Sequence, residues 1–242
     1  MIRHAQSENN ALWARTESSN GRSPDPLLTE TGQQQAEHLA RYIANHGNGT
    51  AVSERGQQHN RDGYHFTHLY TSLMQRAIAT GSAIAAQTNL PLVVWEIVHE
   101  FGGIYEQDHE TDERIGLPGP NRAFFEAHYP QLVLPDSLGD EGWWQRPYEP
   151  LEETMIRAKT FLAELQQRHE PVDQVAIITH GGFFTAVVRT LLGFSTLEKR
   201  EGENRIWLHA NNTSITRLDF DDDHVELVYL NRLDHLPTHL IT

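Results

Sequence analysis

Two periodicities alternate along this chain, and together they predict most of its architecture. Thr29 is placed to cap a helix running to about Asn45, with Leu39, Tyr42 and Ile43 recurring on one face and Gly47 as its stop. Phe66 to Thr71 reads as a strand. Leu73 to Thr88 reads as a helix with Ala77, Ile78, Ile84 and Ala85 inward, and Leu92 to Trp95 as a short buried strand. Leu151 to His169 carries Met155, Ile156, Ala158, Phe161, Leu162 and Leu165 at helical spacing. Val175 to Thr179 is a continuous apolar run, as in a strand covered on both faces, and Gly182 to Leu192 predicts the helix that follows it. Near the carboxyl end, Ile206–Ala210, Ser214–Phe220 and Val225–Leu230 alternate as antiparallel strands do.

Three stretches lack either period. Residues 8–28 read as a polar loop, and the Gly-, Asn- and Gln-rich residues 46–64 as a mobile excursion. Between Gly102 and Pro150, Pro and Gly recur. There Tyr105, Phe124, Phe125, Tyr129, Trp143 and Trp144 are interleaved with Arg114, Arg122 and Arg146. That stretch predicts a cap over the strand ends, with one short helix over Asn121–His128. Its aromatic residues suit either a closing mini-core or a lid that touches substrate. The expected fold is α/β: a three-layer α/β/α sandwich around a mostly parallel sheet, with antiparallel carboxy-terminal strands. Residues 1–242 are expected to form one domain with the cap inserted at about 102–150.

Composition narrows the class. With 38% hydrophobic and 21% charged residues the chain has an ordinary globular composition. A net charge of −14 disfavours nucleic acid and anionic membranes as partners, and requires a local cationic pocket for any anionic substrate. Cys is absent, which removes disulfides and thiol chemistry. No apolar run approaches the roughly 20 residues of a membrane span, and the first residues lack a signal-peptide h-region, so the expected setting is the cytoplasm. Fifteen histidines are scattered without metal-ligand spacing, so no metal site and no cofactor is expected. Asp108-His109-Glu110 and Asp221-Asp222-Asp223-His224 read as solvated turns.

The candidate chemistry lies at strand ends. Arg3-His4 follows Ile2, His180 follows Val175–Thr179, and Arg76 falls in the first turn of the helix after Phe66–Thr71. Arginine offers a permanent cation with planar donors suited to phosphate oxygens, and histidine can attack phosphorus or carry a proton. Two of each suit the holding of a phosphoryl group while one histidine attacks it.

At these residues the chain resembles the histidine phosphatase superfamily, the phosphoglycerate mutase-like proteins. The likeness rests on Arg3-His4-Ala5-Gln6-Ser7, Ser72-Leu73-Met74-Gln75-Arg76-Ala77, Glu100-Phe101-Gly102-Gly103 and Thr179-His180-Gly181. Leu28-Thr29-Glu30-Thr31-Gly32-Gln33-Gln34-Gln35-Ala36 matches the family's Leu-Thr-x-x-Gly-x-x-Gln-Ala helix start. Ala5 replaces the family's usual Gly. The resemblance implies a metal-independent phosphomonoesterase acting on a small phosphate ester through a phosphohistidine at His4. Arg3, Arg76 and His180 would clamp the phosphoryl oxygens. Ser7, Asn10 and Gly181 would help seat them, and Glu100 would protonate the leaving alcohol, with Glu96, Glu106 and Asp108 as further carboxylates. Asn211-Asn212-Thr213-Ser214 resembles the family's late Asn-x-Ser segment, either a support behind the pocket or a plain turn. A mutase is the competing activity. Its known forms carry a Trp-Asn pair and a Gly-Trp-x-Asp segment, where this chain has Asn9-Asn10 and Ser23-Pro24-Asp25-Pro26. A binding protein without turnover normally lacks one of the four clamp residues, and all four are here.

One further expectation concerns the first strand. Only Met1 and Ile2 precede Arg3, whereas strands usually run about 5–6 residues. The first strand is therefore expected to be abnormally short and its neighbours under-paired, as if the start had been assigned at an internal methionine.

Overall fold

The computed structural model describes residues 1–45, 59–61, 63–108, 110–194, 208–221 and 224–242. A seven-stranded sheet runs through it. Its strands are β1 (Ile2–Arg3), β2 (His68–Thr71), β3 (Leu92–Val94), β6 (Leu132–Val133), β7 (Val175–Thr179), β8 (Ile215–Phe220) and β9 (Val225–Arg232), in the order β6-β3-β2-β7-β1-β8-β9. The first five in that order pair in parallel, and β8 and β9 are antiparallel. A separate antiparallel pair, β4 (Tyr105–Gln107) and β5 (Arg114–Gly116), lies outside the sheet.

The period-2 alternation of the central strands feeds two cores. Leu69, Ala176 and Ile178 point to one face, where they meet Leu39 and Ile43 of helix α2 (Glu30–Ala44) and Ile78 and Ile84 of α3 (Gln75–Thr88). Tyr70 and Ile177 point to the other. There they join Met155 and Phe161 of α5 (Leu151–Arg168) and Phe183 and Val187 of α6 (Gly181–Leu191). Helices thus cover both faces of the parallel region, as expected. Ile156, expected on the inner face of α5, is 65% exposed.

Three differences stand out. Residues 8–28 contain a helix, α1 (Glu8–Thr16), which buries no residue completely and so has no apolar stripe to betray it. Ser7 and Asn10 close a capping box at its start. Within 102–150, α4 (Arg122–His128) starts at its Asn121 cap as expected, but β4, β5 and β6 were not anticipated, and β6 extends the main sheet beside β3. Phe125, Trp143 and Trp144 from this stretch are buried in the main core, so these three serve as filling. Of the expected strand over 206–210, residues 206–207 lie outside the described residues, and 208–210 are not in a strand. Most of the 46–64 excursion, His109 and the Asp222-Asp223 turn also lie outside them.

Two helices fix the turn that follows β1. The amide of Ala5 donates to Thr80 Oγ1 of α3 at 3.0 Å, and the amide of Gln6 donates to Gln35 Oε1 of α2 at 2.7 Å. Thr29 caps α2 by accepting from the Gly32 amide and donates to Gln6 Oε1. A Cβ on Gly32 would stand 2.1 Å from the Gln6 carbonyl oxygen, so α2 can approach this closely only with glycine there. Gly32→Ala is expected to lower stability by about 1–3 kcal/mol, the usual cost of overpacking, measured by denaturant unfolding, and to lower turnover by shifting the turn.

Candidate active site

Four strand and helix ends converge where β1, β2 and β7 finish. His4 leaves β1 with its amide donating to the Thr179 carbonyl at 2.9 Å, while its own carbonyl accepts from Asn212 Nδ2 at 2.9 Å. The Thr213 amide donates to the Arg3 carbonyl at 3.0 Å. The Asn211–Ser214 segment therefore supports the Arg-His pair from behind, resolving the choice between support and plain turn. Arg76 sits in the first turn of α3, and His180 is the residue at which α6 begins.

These side chains meet closely. Arg76 Nε donates to His4 Nε2 at 3.2 Å, and the rings of His4 and His180 lie 5.0 Å apart. His4 Nδ1 is 2.7 Å from the Ala5 carbonyl, which can only accept. The ring proton is therefore on Nδ1, and Nε2 carries the lone pair. Ser72 Oγ is 2.8 Å from His180 Nε2. Arg3 Nη1 donates to the Ala210 carbonyl. Among the described residues Arg3 Nε, Arg76 Nη1 and His180 Nδ1 are buried with no hydrogen bond. Arg3 Nε and His180 Nδ1 without a partner, and Arg76 Nη1 with only Asp25 Oδ1 at 3.6 Å, suit an anion with several oxygens.

Burial pushes His4 well below the usual imidazole range, and the Arg76 and Arg3 guanidiniums push it further. Burial, then Arg76, does the same to His180. Both rings are thus neutral.

Two carboxylates balance the cations. Glu100 Oε1 accepts from the amides of Phe183 at 2.9 Å and Phe101 at 3.0 Å, and Oε2 accepts from Gly182 at 3.1 Å. Asp25 was not anticipated as a site residue. Its Oδ1 is 3.6 Å from Arg76 Nη1 and accepts from the Gln75 amide at 3.1 Å. Burial raises it above the ordinary carboxyl range, partly offset by Arg76. Nothing in Ser23-Pro24-Asp25-Pro26 marked it, because only the folded loop carries it to α3.

The other expected residues fall as follows. Ser7 Oγ and Asn10 Oδ1 are engaged in the α1 capping box, and Asn10 Oδ1 also accepts from Asn212 Nδ2 at 3.1 Å. A Cβ on Gly181 would meet only the Arg3 side chain, its nearest atom Nε at an ordinary 3.5 Å, whereas one on Gly182 would stand 2.2 Å from Phe101 Cδ1 and 2.6 Å from Glu100 Oε1. The glycine that this geometry requires is Gly182. Glu106 lies exposed on β4, Glu96 Oε1 accepts from Ser137, and Asp108 caps a turn through the amides of Glu110 and Thr111. Glu100 is thus the one of the four that meets the start of α6. Three ligand-type side chains do gather elsewhere: His68, His169 and Asp173, within 4.8 Å of one another, before the starts of β2 and β7 or within them. His68 and His169 stand 3.7 and 3.6 Å from the carboxylate of Asp173.

Behind Glu100 lies a buried ion pair. Arg157 donates to Glu149 at 2.6 and 2.7 Å and to the carbonyls of Ile97 and His99 at 2.7 and 2.9 Å. His99 Nδ1 faces the Glu100 carbonyl at 2.7 Å while Arg146 donates to Nε2 at 3.0 Å. Together they fix the backbone that presents Glu100.

The fold and this set of side chains are those of a histidine-based phosphatase. The family model described as histidine phosphatase superfamily (branch 1) matches residues 1–233, and the chain belongs to that family. It is a phosphoric monoester hydrolase of that class. A curated relative is the putative phosphoserine phosphatase 2 of Hydrogenobacter thermophilus. It is 27% identical over 176 residues, 69% of this chain and 73% of its own. Among solved structures, a histidine-to-alanine mutant of the phosphoserine phosphatase from Entamoeba histolytica in complex with phosphoserine superposes with a TM-score of 0.56. It is 20% identical, over 98% of this chain and 97% of its own. A mycobacterial glucosyl-3-phosphoglycerate phosphatase in complex with VO3 superposes at 0.55 with 18% identity, over 96% and 97% of the two chains. Among the described residues, no helix is long and apolar enough to cross a membrane.

The buried histidines make stability pH-dependent with a definite sign. His4, His99 and His180 are all held below the ordinary 6.5 when folded. As pH falls through 6.5 the unfolded chain takes up their protons and the folded one does not. Their contribution is full above 6.5 and is lost on acidification, at up to about 4 kcal/mol per pH unit for three groups. Melting temperatures at pH 7.5, 6.5 and 5.5 should fall progressively, and His99→Gln should flatten the decline.

Proposed function

We propose that this protein is a metal-independent phosphomonoesterase that works through a phosphohistidine at His4 on a small phosphorylated metabolite. One observation carries the reading: the Ala5 carbonyl fixes the His4 proton on Nδ1, leaving a neutral Nε2 that accepts from Arg76 Nε, close to Arg3 and Arg76 nitrogens that make no hydrogen bond. In this mechanism Nε2 attacks phosphorus and the ester P–O bond breaks. Arg3, Arg76 and His180 hold the three equatorial oxygens, where charge spreads in the transition state. Ser7 and Asn10 act through the turn they cap, and Gly181 leaves the approach to Arg3 open.

The leaving alcohol takes its proton from Glu100. Oε2 accepts a single backbone amide and so keeps a lone pair for the proton, whereas Oε1 accepts two. A water then attacks the phosphohistidine, gives its proton back to Glu100, and inorganic phosphate departs as the N–P bond breaks. Fixed guanidinium charge supplies the stabilisation that a metal would otherwise provide. Asp25 is the second candidate donor, because burial favours its protonated form.

Charge and the relatives support a substrate class. Arg22 lies over the Tyr105 ring at 3.9 Å and is coupled electrostatically to Arg76, so a second anionic group on a small ester has a cation to meet. A phosphorylated amino acid or hydroxy acid fits, in line with the phosphoserine and phosphoglycerate esters named for the relatives. The acidic surface disfavours nucleic acid and membranes as partners.

The test is rapid-quench trapping with a radiolabelled phosphate ester. An acid-labile, base-stable label on the wild-type chain that is absent from His4→Ala is expected, together with turnover that survives exhaustive chelation. Arg76→Ala should cost roughly 10²–10³-fold in kcat. Turnover by His4→Ala, or loss on chelation with rescue by a divalent ion, rejects the reading. Glu100→Gln should slow alkyl phosphates far more than p-nitrophenyl phosphate, whose leaving group needs no proton. If Asp25→Asn shows that pattern instead, the donor is Asp25.

A further inference from the structure

At the other ends of the parallel strands from His4 and His180, two imidazoles and a carboxylate face one another. His68 opens β2, His169 directly follows α5, and Asp173 stands two residues before β7. The sheet fixes all three. β2 and β7 pair in register from His68 and Val175 onward, and the Thr67 amide donates to the Gln174 carbonyl at 2.8 Å. The Gln174 amide donates back to Thr67 Oγ1 at 3.0 Å, so the loop that carries His169 and Asp173 is tied to the start of β2. Sites on such rigid elements hold their geometry better than sites on free loops.

The spacing is that of ligands and not of hydrogen bonds. His68 Nδ1 stands 3.7 Å from Asp173 Oδ1, and His169 Nδ1 stands 3.6 Å from Oδ2, both too long for a hydrogen bond. Atoms that bind a tetrahedral zinc ion at about 2.0–2.2 Å lie about 3.3–3.5 Å from one another. The His169 side chain is only 7% exposed, yet both of its ring nitrogens are buried without a hydrogen bond. His68 and Tyr70 meet it ring to ring, at 4.7 and 5.5 Å. A buried imidazole in that condition calls for a partner. Asp173 is already oriented from outside: Oδ1 accepts from Thr67 Oγ1 at 3.2 Å and Oδ2 from the Glu170 amide at 3.0 Å. Each oxygen keeps a further lone pair, and outer contacts of this kind hold a ligating carboxylate in place. His68 Nδ1 lies 2.9 Å from the Thr67 hydroxyl, and its ring is 40% exposed, so this ligand has a contact to exchange and room to do so. Arg168, whose charge would oppose a cation, lies over the Trp95 ring at 4.5 Å.

We propose that His68, His169 and Asp173 form a binding site for one divalent transition-metal ion of the zinc class, with water in the remaining position on the exposed side of His68. Two imidazoles with one carboxylate suit such an ion better than magnesium or calcium, which take oxygen ligands. The ion would fasten the loop between α5 and β7 to the start of β2. It stands apart from the phosphate pocket, so it is compatible with turnover that needs no metal.

The test titrates the chelator-treated chain with Zn²⁺ by calorimetry, with Mg²⁺ as the control, and repeats it on His68→Gln and Asp173→Asn. The second change leaves an oxygen to accept from the Glu170 amide, so the turn is kept. One zinc ion per chain is expected, bound more weakly by roughly tenfold or more in each variant, with no saturable uptake of Mg²⁺. At about a hundredfold excess over Kd, zinc should raise the melting temperature of the wild-type chain by roughly 5–10 °C. Co²⁺ on the wild-type chain should shift the ring-proton signals of His68 and His169 more than those of any other histidine, a measurement that needs no variant. Absence of saturable zinc uptake, an affinity unchanged in both variants, or the largest Co²⁺ shifts at other histidines overturns the proposal.

Discussion

Two guanidinium groups, Arg3 and Arg76, are buried around one imidazole, and the rest of the site follows from that constraint. Removing an ion from water costs several kcal/mol unless opposite charge or oriented dipoles replace the solvent. The chain meets the cost with Asp25 against Arg76 and the Ala210 carbonyl against Arg3, while Glu100 faces both cations from the start of α6. Burial, and after it the same positive field that needs these partners, keeps His4 and His180 unprotonated. A neutral imidazole and the guanidinium groups beside it thus arise from one electrostatic arrangement.

Much of this was legible in the sequence, for identifiable reasons. The central strands and α2, α3, α5 and α6 carry strong periodicity, because each buries a face against the sheet. Arg3, His4, Arg76, Glu100 and His180 could be picked out because motifs tie them to strand and helix ends, whose positions the sheet dictates. What escaped has the opposite character. α1 is held by a capping box and not by burial, so the part that Ser7 Oγ and Asn10 Oδ1 play in closing the helix start had no apolar pattern to announce it. Asp25 sits in an aperiodic loop, and only tertiary folding brings it to Gln75 and Arg76. Gly182 was passed over for Gly181, because the side chains of Glu100 and Phe101 that crowd it come from a distant segment.

The region after Gly102 shows why aperiodic sequence resists assignment. Its tryptophans could have lined a lid or filled a core, and sequence favours neither. In the fold Trp143 and Trp144 lie in the main core, while Tyr105 and Tyr148 sit edge to face at 4.8 Å with Arg22 and Arg114 over their rings. One stretch thus contributes both filling and a cationic aromatic surface, and β6 from its later part completes the edge of the sheet.

The support behind Arg3 and His4 also dictates when the site can exist. The bonds from Arg3 to Ala210 and from Asn212 to His4 join residues 207 and 208 positions apart. Closing contacts of such separation is slow, because loop entropy is lost before the contacts reward it. During synthesis His4 leaves the ribosome 208 positions ahead of Asn212, and its pocket cannot assemble until the segment around Asn212 has followed. Until then the Arg-His pair is a solvated dipeptide with an ordinary imidazole. Activity in this architecture is therefore a late reporter of folding, and a chain halted before the final strand pair is expected to hold its Arg-His pair without the pocket around it.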